Sequence, residues 1–113
     1  MDAAVAACAV QCVVEPQSTG IGGDNFCMYS KGGSPDIVAF NGSGKAPSAA
    51  NVEWFQQQGI SFIEQRTPHA ITVPSAVDAW CRLIDGHGSK EMGELLQPAI
   101  NYARNGYPLH SRV

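Results

Sequence analysis

No apolar run in this chain approaches the roughly 20 residues that a membrane-spanning helix requires. Charge is sparse as well: charged residues fill 15% of the 113 positions, and the formal net charge is −3. A balance that small and of that sign does not suit a protein that grips nucleic acid or an anionic membrane surface. The four cysteines include no C-x-x-C pair with histidine support of the kind metal arrays use. Cys8 and Cys12 are neighbours on one helix face, Cys27 lies in an apolar run and Cys81 in a helical pattern, so they read as small buried hydrophobes. His69, His87 and His110 are scattered through loop-like contexts, and no structural metal is expected. The start shows no basic segment followed by an apolar stretch and a cleavage site, which by itself assigns no compartment. Neither a dinucleotide-binding G-x-G-x-x-G nor a phosphate loop is present. No repeat or low-complexity linker divides residues 1–113, a length that builds one modest core.

What the chain does have is glycine in a concentrated place. The run Glu15-Pro16-Gln17-Ser18-Thr19-Gly20-Ile21-Gly22-Gly23-Asp24-Asn25-Phe26 follows an alanine-rich helical pattern and opens into the apolar segment Phe26–Tyr29. Pro16 ends the helix, because it has no N–H to donate and its ring crowds the preceding turn. Gly20, Gly22 and Gly23 are expected to supply positive φ or close approach of another chain segment. The order is helix into strand, the reverse of phosphate loops, so a packing turn is the first reading and a ligand cradle the alternative. Ser18 and Thr19 can hydrogen-bond within the turn but have no base beside them to make either a nucleophile. Glu15 ends the helix, where a carboxylate pairs with a base or caps backbone.

Periodicity gives the remaining elements. Residues 2–14 read as a helix, apolar nearly all round and therefore buried between layers, with Asp2 as its cap. Asn25–Ser30 and Ile37–Asn41 read as strands joined by the polar turn Lys31–Asp36. Asn51 caps a short helix to Gln58. A clearer helix spans Ser75–Asp85, with Ser75 and Asp78 in the capping relation and Val77, Trp80, Cys81 and Ile84 as its stripe. Gly86-His87-Gly88 stops it. Ser89 can cap a short helix through Leu96, and Pro98–Arg104 forms another, ended by Gly106 and Pro108. Helix, hairpin, then helices gives a mixed α/β (α+β) class.

Several blocks resemble the γ-glutamyltransferase (γ-glutamyltranspeptidase, glutathione hydrolase) large subunit. They are Asp2-Ala3-Ala4-Val5-Ala6-Ala7, Val14-Glu15-Pro16, Ser18–Gly23, Ala46-Pro47, Val73-Pro74-Ser75-Ala76-Val77, Glu94–Ile100 and Ala103–Pro108. Their shared order and spacing, from Asp2 to Arg112, make the resemblance specific. It implies part of an N-terminal-nucleophile hydrolase, an αββα sandwich made as a self-cleaving precursor. It also implies that this chain is a large-subunit fragment, a single partial domain over residues 1–113. The nucleophilic threonine then begins a small subunit outside these residues, and no catalytic residue is expected within them.

The resemblance also locates a substrate contact. In the family an arginine four residues before the proline of the Ala-Pro pair holds the donor's α-carboxylate, a task suited to a planar guanidinium. Here the stretch reads Asn41-Gly42-Ser43-Gly44-Lys45-Ala46-Pro47, and Ser43 stands at that position. A serine offers one neutral hydrogen bond, and its replacement of a charged bidentate contact lowers carboxylate binding by about 2–4 kcal/mol. Lys45 is either a point charge on the same face as Ser43, if the loop is extended, or a solvated loop lysine. Asp24-Asn25, where family members carry further glycine, is a second mark of a divergent branch. Arg66-Thr67-Pro68-His69 is a loop whose polar side chains would line an entrance.

The expected function is acyl transfer from, or hydrolysis of, γ-glutamyl amides such as glutathione, without a cofactor. The small subunit of the same precursor and a small-molecule amide are the expected partners; nucleic acid is not. Ser43 favours an alternative within the family, an acylase or amide hydrolase that does not recognise an α-carboxylate. The short length favours another, a truncated domain without catalysis. A reading frame that continues to a threonine at a processing junction would discriminate between enzyme and remnant.

Overall fold

Alanine fills five of the thirteen positions from Asp2 to Val14, and its high helix propensity makes α1 of that segment. The helix stops one residue after Val14, at Glu15, because Pro16 follows. A computed structural model describes residues 1–109, so His110 and Arg112 lie outside the described residues. Of α1, Val5 and Ala9 are buried, one turn apart, while Ala3, Ala4 and Ala7 are exposed. The expectation of a helix covered on every side is therefore not met among the described residues, where partners reach only one face. Asp2 does not cap α1: Met1 holds that place. Its carboxylate instead receives the Ser89 hydroxyl at 2.6 Å and the Ser89 N–H at 3.0 and 3.1 Å. Those bonds, the hydroxyl's first, hold the Asp2 carboxyl below the usual carboxylate range.

Two strands follow, β1 (Asn25–Ser30) and β2 (Ile37–Gly42), paired antiparallel from Asn25 opposite Gly42 to Ser30 opposite Ile37. The reversal between them takes positive φ at Gly32 (61°) and Gly33 (77°), where glycine has no Cβ to clash. Alternation in β1 leaves Asn25, Cys27 and Tyr29 half-buried and turns Phe26 and Met28 outward. The half-buried face meets α3 (Ala76–His87), which packs on both strands. The His87 ring lies 5.3 Å from that of Tyr29 and ties the helix end to β1. His87 is thus part of a helix rather than a loop.

Helix α3 buries Ala76, Ala79, Trp80, Leu83 and Ile84. The apolar stripe is thus rotated from the expected one, with Cys81 exposed and Val77 46% exposed. Ser75 precedes the helix without capping it, and Asp78 pairs with Arg82 at 2.9 Å on the exposed side. Helix α4 (Met92–Leu95) and helix α5 (Gln97–Asn105) pack on α1, with Pro98 in the first turn of α5 and Gly106 (φ 84°) ending it. Ser89 does not cap α4; its hydroxyl is committed to Asp2. Val5, Ala9, Trp80, Ile84, Leu95 and Ala99 form the continuous core between these helices.

Between β2 and α3 the chain makes a long excursion that contains α2 (Val52–Gln57), capped by Asn51 Oδ1 accepting from the Trp54 N–H at 2.9 Å. The His69 ring packs 5.5 Å from Trp54 and 5.6 Å from Phe55, so the excursion is held by its own aromatics. Helix α2 has no sizeable interface with the other helices or the strands. The radius of gyration, 17.4 Å, exceeds the roughly 13 Å of a compact domain of about 100 residues. No helix among the described residues is long and apolar enough to cross a membrane.

The result is one helical layer over one face of a hairpin, with Phe26 (69%), Met28 (77%) and Ile37 (60%) exposed on the other face. Among the described residues the core is small and contains only hydrophobic side chains. Expressed alone, the 113-residue chain is expected to lack a cooperative thermal transition and to bind an apolar dye strongly. A sharp, dye-free melting transition in calorimetry would contradict this.

Candidate functional site

Where β2 ends, the chain must leave the ladder, and the backbone groups freed there are taken up by two distant segments. Asp24, the residue before β1, projects a carboxylate oxygen that accepts from the Gly44 N–H at 2.8 Å and the Thr72 hydroxyl at 3.0 Å. The Ser75 hydroxyl lies 3.5 Å from the same oxygen and donates to the Gly42 carbonyl. The Gly23 carbonyl accepts from the N–H groups of Ser75 (3.1 Å) and Ala76 (3.0 Å), which satisfies two donors at the start of α3. The Val73 N–H donates to the Lys45 carbonyl at 3.0 Å. Four stretches therefore meet at one end of the hairpin: residues 23–24, 42–45, 72–73 and 75–76.

Glycine is required in this meeting by contact rather than by φ. A Cβ built on Gly44 would lie 1.7 Å from the Val73 carbonyl oxygen, and one on Gly42 would lie 2.6 Å from the Asn25 carbonyl oxygen. The turn glycines behave differently. Gly20, Gly22 and Gly23 have no positive φ, and a Cβ on any of them meets nothing within 4 Å. They do lie in the turn between α1 and β1, but no strain or crowding among the described residues demands glycine there. The turn closes instead through the Glu15 carbonyl, which accepts from the N–H groups of Ser18 (2.9 Å) and Thr19 (3.1 Å). Glu15 Oε2 takes the Gln17 side-chain amide at 2.8 Å.

Ser43 and Lys45 stand on the pinned loop with fixed backbone and exposed side chains. The Ser43 N–H donates to Asn41 Oδ1 at 3.0 Å, while its hydroxyl makes a long 3.4 Å approach to the Gly44 carbonyl and also helps to stabilise the Asp24 carboxylate. Lys45 enters neither of the ion pairs seen among the described residues, Asp78–Arg82 and Lys90–Glu94. The loop thus presents one neutral hydroxyl and one ammonium two residues apart. Past Pro47 the surface continues into a shallow recess of about 240 Å³, bounded by Pro47, Ala50, Trp54, His69 and Ile71. Within the Arg66–His69 loop, Arg66 has φ 67° and Thr67 donates to the Glu64 carbonyl at 2.8 Å, and it is Pro68 and His69 that line the recess. No group of three or more His, Cys, Asp or Glu side chains among the described residues is placed to hold a metal ion.

Sequence reasoning did not foresee Asp24, Thr72 and Ser75 as one unit. Asp24 was conspicuous only as a carboxylate where glycine was expected, and nothing local marks Thr72. The Asp24 carboxyl lies below the usual carboxylate range, first through the Gly44 N–H and next through the Thr72 hydroxyl.

Comparison with known proteins adds the context. The sequence model described as Gamma-glutamyltranspeptidase matches residues 1–113. The chain is 39% identical over 109 residues to the Glutathione hydrolase-like YwrD proenzyme of Bacillus subtilis (strain 168), covering 96% of this chain and 20% of that protein. It is 35% identical over 115 residues to the Oxamate amidohydrolase proenzyme of Klebsiella pneumoniae, covering 96% and 21%. The crystal structure of Helicobacter pylori gamma-Glutamyltranspeptidase superposes with a TM-score of 0.78 at 29% identity, over 98% of this chain and 32% of that one. The chain therefore spans about a fifth of the length of these curated relatives.

Two outcomes follow from the geometry, both measured in the protein that carries this chain. Gly44→Ala is expected to cost about 1–3 kcal/mol or more, because Val73 backbone must move, whereas Gly22→Ala costs under about 0.5 kcal/mol; paired melting curves test this. Asp24 has a folded pKa depressed below its unfolded value of about 3.9. Its stabilising contribution is therefore present above that value and lost as pH falls through the lower folded pKa. Melting temperature between pH 2 and pH 6 should fall more steeply in the wild type than in Asp24→Asn; parallel curves would refute the coupling.

Proposed function

The chain belongs to the gamma-glutamyltranspeptidase family, and we propose that it supplies the donor-side loop of an enzyme whose nucleophilic threonine lies outside these 113 residues. The family carries out amide hydrolysis and acyl transfer. In the proposed reaction the threonine hydroxyl attacks the carbonyl carbon of a small-molecule amide while the threonine's own α-amino group accepts the proton. The C–N bond then breaks, the amine leaves with a proton, and an acyl-enzyme ester remains. Water or an acceptor amine attacks that ester and regenerates the threonine. Both curated relatives named above are proenzymes, and self-cleavage of a precursor into two subunits is part of the same reading.

The observation that carries this reading is the family match over all of residues 1–113; the reading takes loop 43–45 as the position of donor contact. Within the family, Ser43 argues for a donor other than a strict γ-glutamyl compound. An exposed hydroxyl has no charge with which to select an α-carboxylate, and Lys45 offers a point charge without a guanidinium's bidentate fork. An amide hydrolase whose donor has no α-carboxylate, or whose single carboxylate meets Lys45, fits this loop best.

The test measures kcat/KM for paired amide donors with and without the α-carboxylate. Ser43→Arg is expected to favour the carboxylate donor by about 2–4 kcal/mol, roughly 30- to 1000-fold in kcat/KM. Lys45→Ala is expected to weaken carboxylate donors only if the ammonium is already in use. A wild-type enzyme that strongly prefers the carboxylate, with a ratio neither variant moves, would contradict the placement of Ser43.

A further inference from the structure

The pinned loop raises the question of what fixes its side chains where a donor would meet them. Ser43 and Lys45 are exposed, so packing does not set their positions. Backbone bonds do, and the one at Gly44, between the two, goes to Asp24. One oxygen of Asp24 takes the Gly44 N–H at 2.8 Å and the Thr72 hydroxyl at 3.0 Å, joining the loop to the segment that returns from the excursion. The geometry points to Asp24 as a positioning residue for donor selection, setting the placement of Ser43 and Lys45 without itself contacting the donor. This rests on the reading of residues 43–45 as the donor-side loop.

Three features make the assignment more than a surface hydrogen bond. Asp24 is twenty residues from Gly44 and forty-eight from Thr72, so it joins segments that sequence keeps apart. Gly44 touches Val73 backbone so closely that the loop has little freedom to shift toward residues 72–73. The other bonds on the loop lie to either side of Gly44: the Ser75 hydroxyl to the Gly42 carbonyl and the Ser43 N–H to Asn41 Oδ1 before it, and the Val73 N–H to the Lys45 carbonyl after it. Without the carboxylate, the Gly44 N–H and the Thr72 hydroxyl lose their shared acceptor, and the loop can pivot about Lys45. Asparagine in its place retains an oxygen that can accept from both, whereas alanine retains none.

The experiment uses the full-length, processed protein with Asp24→Ala, Asp24→Asn, Thr72→Val, Ser43→Ala and Lys45→Ala. Steady-state kinetics use donors that differ only at the group facing the loop, and amide hydrogen exchange follows peptides covering residues 43–46 and the hairpin. Asp24→Ala is expected to raise donor KM about tenfold or more, with kcat within about threefold, and to change the ratio between the paired donors. Exchange should accelerate at 43–46 and not in the β1–β2 hairpin. Asp24→Asn should stay within about threefold of wild type, and Thr72→Val should fall between them in KM. If Asp24→Ala fails to mature, Thr72→Val and the asparagine variant decide the matter by the same readouts. If Ser43→Ala or Lys45→Ala shifts donor selection while Asp24→Ala and Thr72→Val do not, the positioning role is wrong and the loop reading stands. If none of these variants shifts donor selection, both fail. Equal loss for every donor, with faster exchange across the hairpin, would make Asp24 a structural residue only and overturn the proposal.

Discussion

The end of the hairpin is organised around a carboxylate that four chain segments share. Asp24 sits where α1 has been turned into β1, and its oxygen collects the Gly44 N–H and the Thr72 hydroxyl. Around it the Gly23, Gly42 and Lys45 carbonyls accept from Ser75, Ala76 and Val73. Most of what the rest of the fold does there follows from this. The backbone groups released where β2 leaves the ladder find partners, two N–H donors at the start of α3 share the Gly23 carbonyl, and the excursion is closed at its base. A long loop whose ends are fixed loses less additional entropy per added residue than a short one, so the excursion is tolerated once its base is tied.

Above that base the molecule is thin. One helical layer covers one side of the hairpin, and the outer side presents Phe26, Met28 and Ile37. Nothing among the described residues covers them. A two-stranded sheet is marginal by itself, and its support here comes from α3 lying across both strands. The solved relative is about three times as long as the aligned part, so the exposure belongs to a piece that matches one section of a larger architecture.

Chemically, the loop differs from a carboxylate clamp in charge and in shape. A hydroxyl at Ser43 and an ammonium at Lys45 are set two positions apart on fixed backbone, with no other ion pair holding the lysine among the described residues. Because the bonds beneath are made by backbone, the exposed side chains at 43 and 45 can be exchanged without disturbing them. Gly44 is the exception, because its hydrogen atom is what allows the Val73 carbonyl to approach.

The hairpin was legible in the sequence almost to the residue, and so were the ends of α1 and α5 and the cap of α2. Each depends on neighbours within a few positions: alternation for Asn25–Ser30, Pro16 for the end of α1, Gly106 for α5, Asn51 for α2. The polar side chains of Asp2, Ser75 and Ser89 look like helix caps in sequence, and a cap is also a local bond. In the folded chain each oxygen found a stronger or nearer partner far away: Ser89 for Asp2, Gly42 for Ser75. The three turn glycines were read as conformational necessities, yet the crowding that demands glycine lies at Gly42 and Gly44. Whether a Cβ fits depends on which segment passes beside it, and Val73 is twenty-nine residues from Gly44. Sequence alone determined the main element types and the position of the loop that carries Ser43 and Lys45, because those follow from short-range pattern, and the family, because the order and spacing of its blocks are written along the whole chain. Tertiary structure alone decided that Asp24 binds that loop to Thr72, because a hydrogen bond across forty-eight residues has no signature until the chain has folded.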